Sequence, residues 1–180
     1  MIDEVIVVRE VILYIAMSLD GYIAGKDDDL SFLDGYDDYQ VPQKAYQDLM
    51  ADIDTIIMGR KTYTWLLNHA DSWPYPDKET YVISKTVHDN KKSIYFINDS
   101  VSLIHDLQSR PGKHIWLVGG SEIIDTLMKE NLIDRYIITL IPKVLRSGIP
   151  LFINQQDVRL SLIDVKYEKD LIMLSYWPKK

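Results

Sequence analysis

Asp54-Thr55-Ile56-Ile57-Met58-Gly59-Arg60-Lys61-Thr62-Tyr63 joins an apolar run to a glycine, two cations and a threonine. Ile56 to Met58 is short and rich in β-branched residues. Asp52 and Asp54 stand before it and Gly59 after it, which predicts a buried strand. Lys61 to Leu67 reads as a helix beginning at the strand's carboxyl end. A strand-to-helix corner points backbone N–H groups outward, and the positive helix end favours an anion. Gly59 lets a ligand approach the main chain without a Cβ in the way. Arg60 and Lys61 add full charges to these partial ones, so the corner is predicted to hold a phosphate-bearing ligand.

Working outward, Val5 to Val8 and Val11 to Met17 are apolar runs interrupted by Arg9-Glu10. The second predicts a central strand covered on both faces; the first is an extension, an edge strand or an extra segment. Ser18-Leu19-Asp20-Gly21 has turn chemistry. Lys26 to Tyr39 predicts a long acidic loop over a ligand mouth, with Phe32, Tyr36, Trp65 and Trp73 as candidate walls for a flat substrate or as packing residues. Pro42 to Ala51 has helical spacing. His69 to Lys78 is predicted as a loop, and Thr80 to Ser84 and Ile94 to Ile97 as strands. Ser100 is predicted to cap a helix from Val101 to Gln108. His114 to Val118 predicts a strand, Ser121 to Lys129 a helix and Ile133 to Ile141 a strand. Gly148 to Phe152 reads as a loop, and Leu160 to Tyr167 with Leu171 to Trp177 as an antiparallel hairpin. Strands alternating with helices before a terminal hairpin predict an α/β domain with a mostly parallel sheet.

The composition sets limits. The chain of 180 residues fits one domain, and 47% hydrophobic with 26% charged residues is ordinary for a globular protein. No apolar run reaches the ~20 residues of a membrane span. The start lacks a basic leader region, so a cytoplasmic location is expected. The absence of cysteine excludes disulfides, Cys-ligated metals and thiol catalysis. A net charge of −7 without a basic stripe argues against nucleic acid. His69, His88, His105 and His114 lack metal-ligand spacing, and Asp27-Asp28-Asp29 lacks the pattern of a calcium loop. No metal site is expected.

Val118-Gly119-Gly120-Ser121 repeats the logic of Gly59. A Gly-Gly corner serves a tight turn or a ligand. Two such corners at strand C-termini point to one diphosphate ligand lying across the sheet. Ile56 to Tyr63 followed by Leu117-Val118-Gly119-Gly120-Ser121-Glu122-Ile123 resembles dihydrofolate reductase, as do Ile15-Ala16-Met17 and Tyr136-Ile137-Ile138-Thr139. Ala16-Met17-Ser18-Leu19-Asp20-Gly21-Tyr22-Ile23-Ala24 and Gly148-Ile149-Pro150-Leu151-Phe152 are more similar to the reductase domain of riboflavin biosynthesis and its single-domain bacterial relatives. The resemblance runs from Ile12 to Trp177.

The resemblance implies one three-layer dihydrofolate-reductase-like domain over 1–180, with 1–10 as an N-terminal extension, and NADPH as cofactor. It places Ala16 against the nicotinamide amide and Gly59, Arg60, Lys61 and Thr62 around the pyrophosphate and 2′-phosphate side. It also places Ser84 and Lys85 beside the adenosine phosphate, and Val118, Gly119, Gly120, Ser121, Glu122 and Ile123 over the diphosphate and nicotinamide ribose. Lys85 reads equally as a solvated surface charge. The implied activity is hydride transfer to a small heterocyclic or carbonyl-bearing substrate. A non-catalytic nucleotide-binding module and a flavin-dependent variant are the alternatives. Asp20 is the catalytic proton-donor candidate or a plain Asp-Gly turn, and Thr139 orients a water or is only a strand former. Homodimerisation through the terminal hairpin is implied too. One departure stands out: dihydrofolate reductases carry a pterin-binding carboxylate where this chain has Gln43, with Asp48 and Asp52 further along the helix. Gln cannot make that two-pronged ionic contact.

Overall fold

The computed structural model describes residues 8–86, 89–153 and 157–179. The strands are β1 (Val11–Ser18), β2 (Tyr22–Ala24), β3 (Ile53–Gly59), β4 (Glu79–Ile83), β5 (Ile94–Ile97), β6 (His114–Gly119), β7 (Arg135–Ile141), β8 (Ile149–Pro150), β9 (Leu160–Glu168) and β10 (Leu171–Pro178). The helices are α1 (Gln40–Asp52), α2 (Arg60–His69), α3 (Ser100–Gln108) and α4 (Ser121–Lys129). Eight strands form one sheet in the order β5-β4-β3-β6-β1-β7-β10-β9, parallel throughout except that β10 runs against both its neighbours. The predicted α/β class, mostly parallel sheet and closing hairpin are all present.

Strand alternation divides the core in two. Leu13, Ile57 and Leu117 face Leu103, Ile104 and Leu107 of α3 and Ile123, Ile124 and Leu127 of α4. Ile12, Ile56, Met58 and Trp116 face the other way, onto Leu49 of α1 and Tyr63 of α2. Helices therefore cover both faces, as the unbroken apolar runs require. A third, smaller cluster sits beneath the acidic loop, where buried Phe32 meets Ile141 and Leu171.

Several boundaries differ from the sequence reading. Asp99, rather than Ser100, caps α3: its carboxylate accepts the N–H groups of Val101 and Ser102. One short pairing, β2 with β8, was not legible, and its second strand falls in the stretch read as a loop over Gly148 to Phe152. Tyr22 lies opposite Pro150 and Ala24 opposite Ile149 in a separate two-stranded sheet. That pairing depends on Gly148 (φ +144), where a Cβ would lie 2.1 Å from the carbonyl oxygen of Ala24. Residues 5–7 of the first apolar run lie outside the described residues.

Arg9, in sequence merely an interruption, is 4% exposed and anchors the lower end of the sheet. Its guanidinium donates to the carbonyls of Lys113 (2.6 Å) and Leu107 (3.3 Å), to Thr55 Oγ1 (2.7 Å) and to the Asp54 carboxylate. Partial burial pushes the Asp54 carboxyl up, but the Lys113 N–H, Thr55 and Arg9 together hold it below its ordinary value. A buried cation with four acceptors is satisfied in the way burial demands.

Candidate active site

The two glycine corners meet. In the β3–β6 ladder Met58 lies opposite Gly119. A Cβ added to Gly59 would be 3.6 Å from the Gly120 nitrogen and 3.7 Å from the Gly119 carbonyl oxygen. Thr62 Oγ1 lies 4.0 Å from the position a Gly120 Cβ would take. The N-terminal ends of α2 and α4 thus stand side by side at the carboxyl edge of the sheet, and neither has a side-chain cap. Their first-turn N–H groups have no intrahelical acceptor. The Gly119–Gly120 peptide is cis.

The sheet also opens at this edge. β1 pairs with β6 only at Val11, Ile12 and Leu13, whereas it follows β7 all the way to Ser18. Past Leu13 the β6 side of β1 leaves the ladder. Trp116 Nε1 donates to the first carbonyl beyond the split, that of Tyr14, at 3.1 Å. The two-residue repeat of a strand turns the peptide groups of Ala16 to the same side. Such a split in a parallel sheet is where α/β proteins take ligands.

Ala16 lies opposite Thr139 of β7, which is 6% exposed. On the Ala16 face, Tyr14 meets Trp116 edge-on at 6.2 Å and Tyr46 of α1 at 6.5 Å. The Tyr14 hydroxyl donates to the Pro42 carbonyl at 3.3 Å, and burial, with a smaller contribution from Tyr46, pushes it up to about 12. These three aromatic residues pack on one another in a cluster that the sequence reading missed. The alternation Tyr14, Ala16, Ser18 against Leu13, Ile15, Met17 was the available signal. Of the wall candidates named from sequence, Phe32 and Trp73 pack into the core clusters and Tyr36 packs edge-on against Tyr39.

Trp65 instead lines an open groove of about 360 Å³ on the outer side of α2, with Arg60, Lys61, Thr64, Asn68, His69 and, across it, Asp28. Arg60 and Lys61 are exposed at the groove's inner end. Ser84 and Lys85 follow directly on the pairing of Gly59 with Ile83, so they stand beside this corner. The Ser84 hydroxyl lies 3.1 Å from both Thr86 Oγ1 and the Thr86 carbonyl, while Lys85 is exposed. At the other corner Ser121 donates to the Pro150 carbonyl. Val118 is half-buried, Glu122 is exposed and Ile123 points into the core. Contact between Ile123 and a ligand therefore falls to its backbone.

Asp20 is committed to neighbours. Oδ1 accepts from Ser18 Oγ at 2.7 Å and the Leu145 N–H at 3.0 Å, and Oδ2 accepts the Arg146 N–H at 2.8 Å. The Ser18 hydroxyl above all holds this carboxyl below its ordinary value; desolvation opposes it, and the Leu145 and Arg146 N–H groups add to the lowering. Gln43 donates to the Asp37 carbonyl and stands exposed at the start of α1. Asp48 is paired with Lys44, and Asp52 is exposed. No group of three or more metal-ligating side chains occurs among the described residues, and no helix there is long and apolar enough to cross a membrane.

Comparison with known proteins adds to this geometry. The family model described as "RibD C-terminal domain" matches residues 9–171. The uncharacterized protein YwjB of Bacillus subtilis (strain 168) is 36% identical over 171 residues, covering 93% of this chain and 97% of its own. A putative riboflavin biosynthesis protein from Shewanella sp. PV-4 superposes with a TM-score of 0.85 at 29% identity, covering 95% of this chain and 99% of its own. Dihydrofolate reductase from Enterococcus faecalis, solved in complex with NADP(H) and RAB-propyl, shares the fold with a TM-score of 0.69 at 14% identity, over 95% of this chain and 97% of its own.

Proposed function

The chain belongs to the RibD C-terminal domain family, and from that premise we propose that it is an NADPH-dependent reductase passing hydride to a small heterocyclic or carbonyl-bearing substrate. The observation that carries the reading is the contact of the two corners, Gly59 against Gly119-Gly120. A diphosphate laid across that contact meets N–H groups of two helices at once, beside the cations Arg60 and Lys61. In this reading Gly59, Arg60, Lys61 and Thr62 hold the pyrophosphate and the 2′-phosphate. Ser84 and Lys85 flank the adenosine side, and Val118 to Ile123 cover the diphosphate and nicotinamide ribose. The main chain of Ala16, where β1 leaves β6, holds the carboxamide.

When bound, the cofactor supplies the hydride; the chain's own residues bind, orient and exclude water. Tyr14 and Tyr46, backed by buried Trp116, bound the Ala16 face with inclined aromatic rings, and the Thr139 hydroxyl, in register with Ala16, orients a substrate group or a water. Asp20, ionised and bound to two backbone N–H groups, is a poor proton donor at neutral pH. Its part is to hold the 143–146 segment beside the end of β1. The Gln43 side chain, turned to the Asp37 carbonyl, makes dihydrofolate a poor substrate.

Oxidation of NADPH followed with pterins, aminopyrimidines and quinones tests this reading. The expected outcome is turnover of a small heterocycle or quinone, with dihydrofolate slow. Cofactor binding with no turnover across the panel would assign a nucleotide-binding module instead. The protein is proposed to act in the cytoplasm as a homodimer joined through its terminal hairpin.

A further inference from the structure

Helix α1 is held differently at its two ends. At the C-terminal end Lys78 Nζ donates to the carbonyls of Met50 and Ile53, each at 2.8 Å, and Lys113 Nζ to that of Ala51 at 2.7 Å. Leu49 packs into the core beside them. The N-terminal end has no local acceptor of this kind: its N-cap residue, Tyr39, makes no side-chain capping bond, and the first turn carries no acidic residue. The missing groups come from the far end of the chain. The turn Glu168-Lys169-Asp170, in sequence only the joint of the closing hairpin, meets this end three times. Glu168 Oε2 accepts the Val41 N–H at 2.8 Å, Asp170 Oδ1 accepts the Tyr39 hydroxyl at 3.1 Å, and Lys169 Nζ stands 4.3 Å from the centre of the Tyr39 ring.

Each of these contacts has a physical reason to matter. The first N–H groups of a helix lack intrahelical acceptors, and a carboxylate placed there also meets the positive helix end. Pro42 has no N–H, and the Gln43 N–H reaches the Tyr39 carbonyl at 3.3 Å, so Val41 offers the donor that half-buried Glu168 takes. Lys169 has φ +55, a left-handed backbone that a lysine rarely adopts, at the point where its ammonium covers Tyr39. Tyr39 also packs against the cluster of Phe32, Ile141 and Leu171, the last being the residue that follows the turn. The tied half of α1 is the half that borders the candidate site. Pro42 presents the carbonyl that takes the Tyr14 hydroxyl, and the Tyr46 ring meets Tyr14 at 6.5 Å and Trp116 at 6.0 Å. A helix of 13 residues is about 20 Å long. With its C-terminal end pinned, release of the turn lets the other end swing.

We propose that Glu168 is a positioning residue: with Lys169 and Asp170 it fixes the N-terminal half of α1 and so sets where Tyr46 stands against Tyr14 beside the Ala16 face. The kinetic consequence rests on the reductase reading; the placement of α1 does not. Amide exchange and ring-to-ring nuclear Overhauser contacts on the full chain read that placement. In Glu168→Ala the Val41 amide is expected to exchange about tenfold to a hundredfold faster, the size of one charge-assisted bond, while α3 keeps its rates. The Tyr14–Tyr46 ring contact is expected to weaken. Glu168→Gln, whose amide oxygen still accepts an N–H, is expected to recover most of both. For the substrate that NADPH oxidation identifies, Glu168→Ala is expected to raise KM by about tenfold with kcat within about twofold. NADPH affinity is expected to stay at the wild-type value, and Glu168→Gln to bring KM back. Equal Val41 exchange in Glu168→Ala and wild type would overturn the tie. Faster exchange with the Tyr14–Tyr46 contact or KM unaltered would overturn the positioning of the face. A wild-type chain that turns nothing over would overturn the reductase reading and leave exchange and ring contacts to decide this one.

Discussion

The two strand-to-helix corners share a plan and differ in what each requires of its residues. Gly59 has φ −74, a value open to any residue, and what matters there is the space beside it. Gly119 has φ +119, and a Cβ would also press to 3.4 Å from Ile124 Cδ1, so its glycine is required by the backbone itself. The charges differ as well. α2 opens with Arg60 and Lys61 and carries no acidic residue in its first turn, whereas α4 opens with the exposed carboxylate of Glu122. An anion is favoured at the first corner by full and partial charges together. At the second the helix end attracts a phosphate that Glu122 repels, while the same carboxylate accepts a hydroxyl well. On the proposed reading, the contrast predicts that the dinucleotide is held by charge at its 2′-phosphate end and by main chain and hydroxyl contacts at its ribose–nicotinamide end.

The largest effect is expected from breaking the backbone corner. Gly119→Ala forces an L side chain into a left-handed conformation and should lower stability by about 1–3 kcal/mol, read as a shift in the urea midpoint. Gly59→Ala should leave the midpoint within ~1 kcal/mol of wild type while weakening NADPH. Next comes the charged corner. Arg60→Ala/Lys61→Ala should lower NADPH affinity by about tenfold to a hundredfold, the size of one or two charge-assisted contacts, and leave NADH nearly unchanged. Glu122→Gln, at the other corner, should leave the preference for NADPH over NADH intact in the same titration. A milder effect should come from salt: raising ionic strength screens exposed Arg60 and Lys61, so the ratio of NADPH to NADH affinity should fall.

Acid should give the smallest effect. The folded-state pKa of Asp20 is lowered by Ser18 and the Leu145 and Arg146 N–H groups. Its stabilisation is therefore fully present above the unfolded value of about 3.9 and fades as pH falls through the lower folded value. Asp20→Asn should flatten the wild-type loss of melting temperature in that acid window. A loss of the same steepness in both proteins would contradict the clamp on residues 145 and 146.

Much of this arrangement was legible because it is local. The apolar runs of β3 and β6 and the glycines that end them declare strands and corners in a few residues each, and the charges of Arg60 and Lys61 follow directly. What was not legible depends on distant partners. Arg9 looked like a break between strands until Lys113, Leu107 and Asp54 supplied its acceptors from far along the chain. Tyr22–Ala24 became a strand only because Ile149–Pro150 came back beside it. Phe32 and Trp73 stood open between a substrate wall and packing because a loop aromatic carries no local mark of what it packs on. Tyr14, Tyr46 and Trp116 were passed over for the converse reason, since they sit in regular elements that read as core.

Calorimetric titration of the wild-type chain with NADPH and with NADH tests the central claim most directly. The account predicts saturable binding of one NADPH per chain, with NADH markedly weaker. Equal affinities would remove the role given to Arg60 and Lys61. An absence of binding for both nucleotides would contradict the assignment of the paired glycine corners as a dinucleotide site.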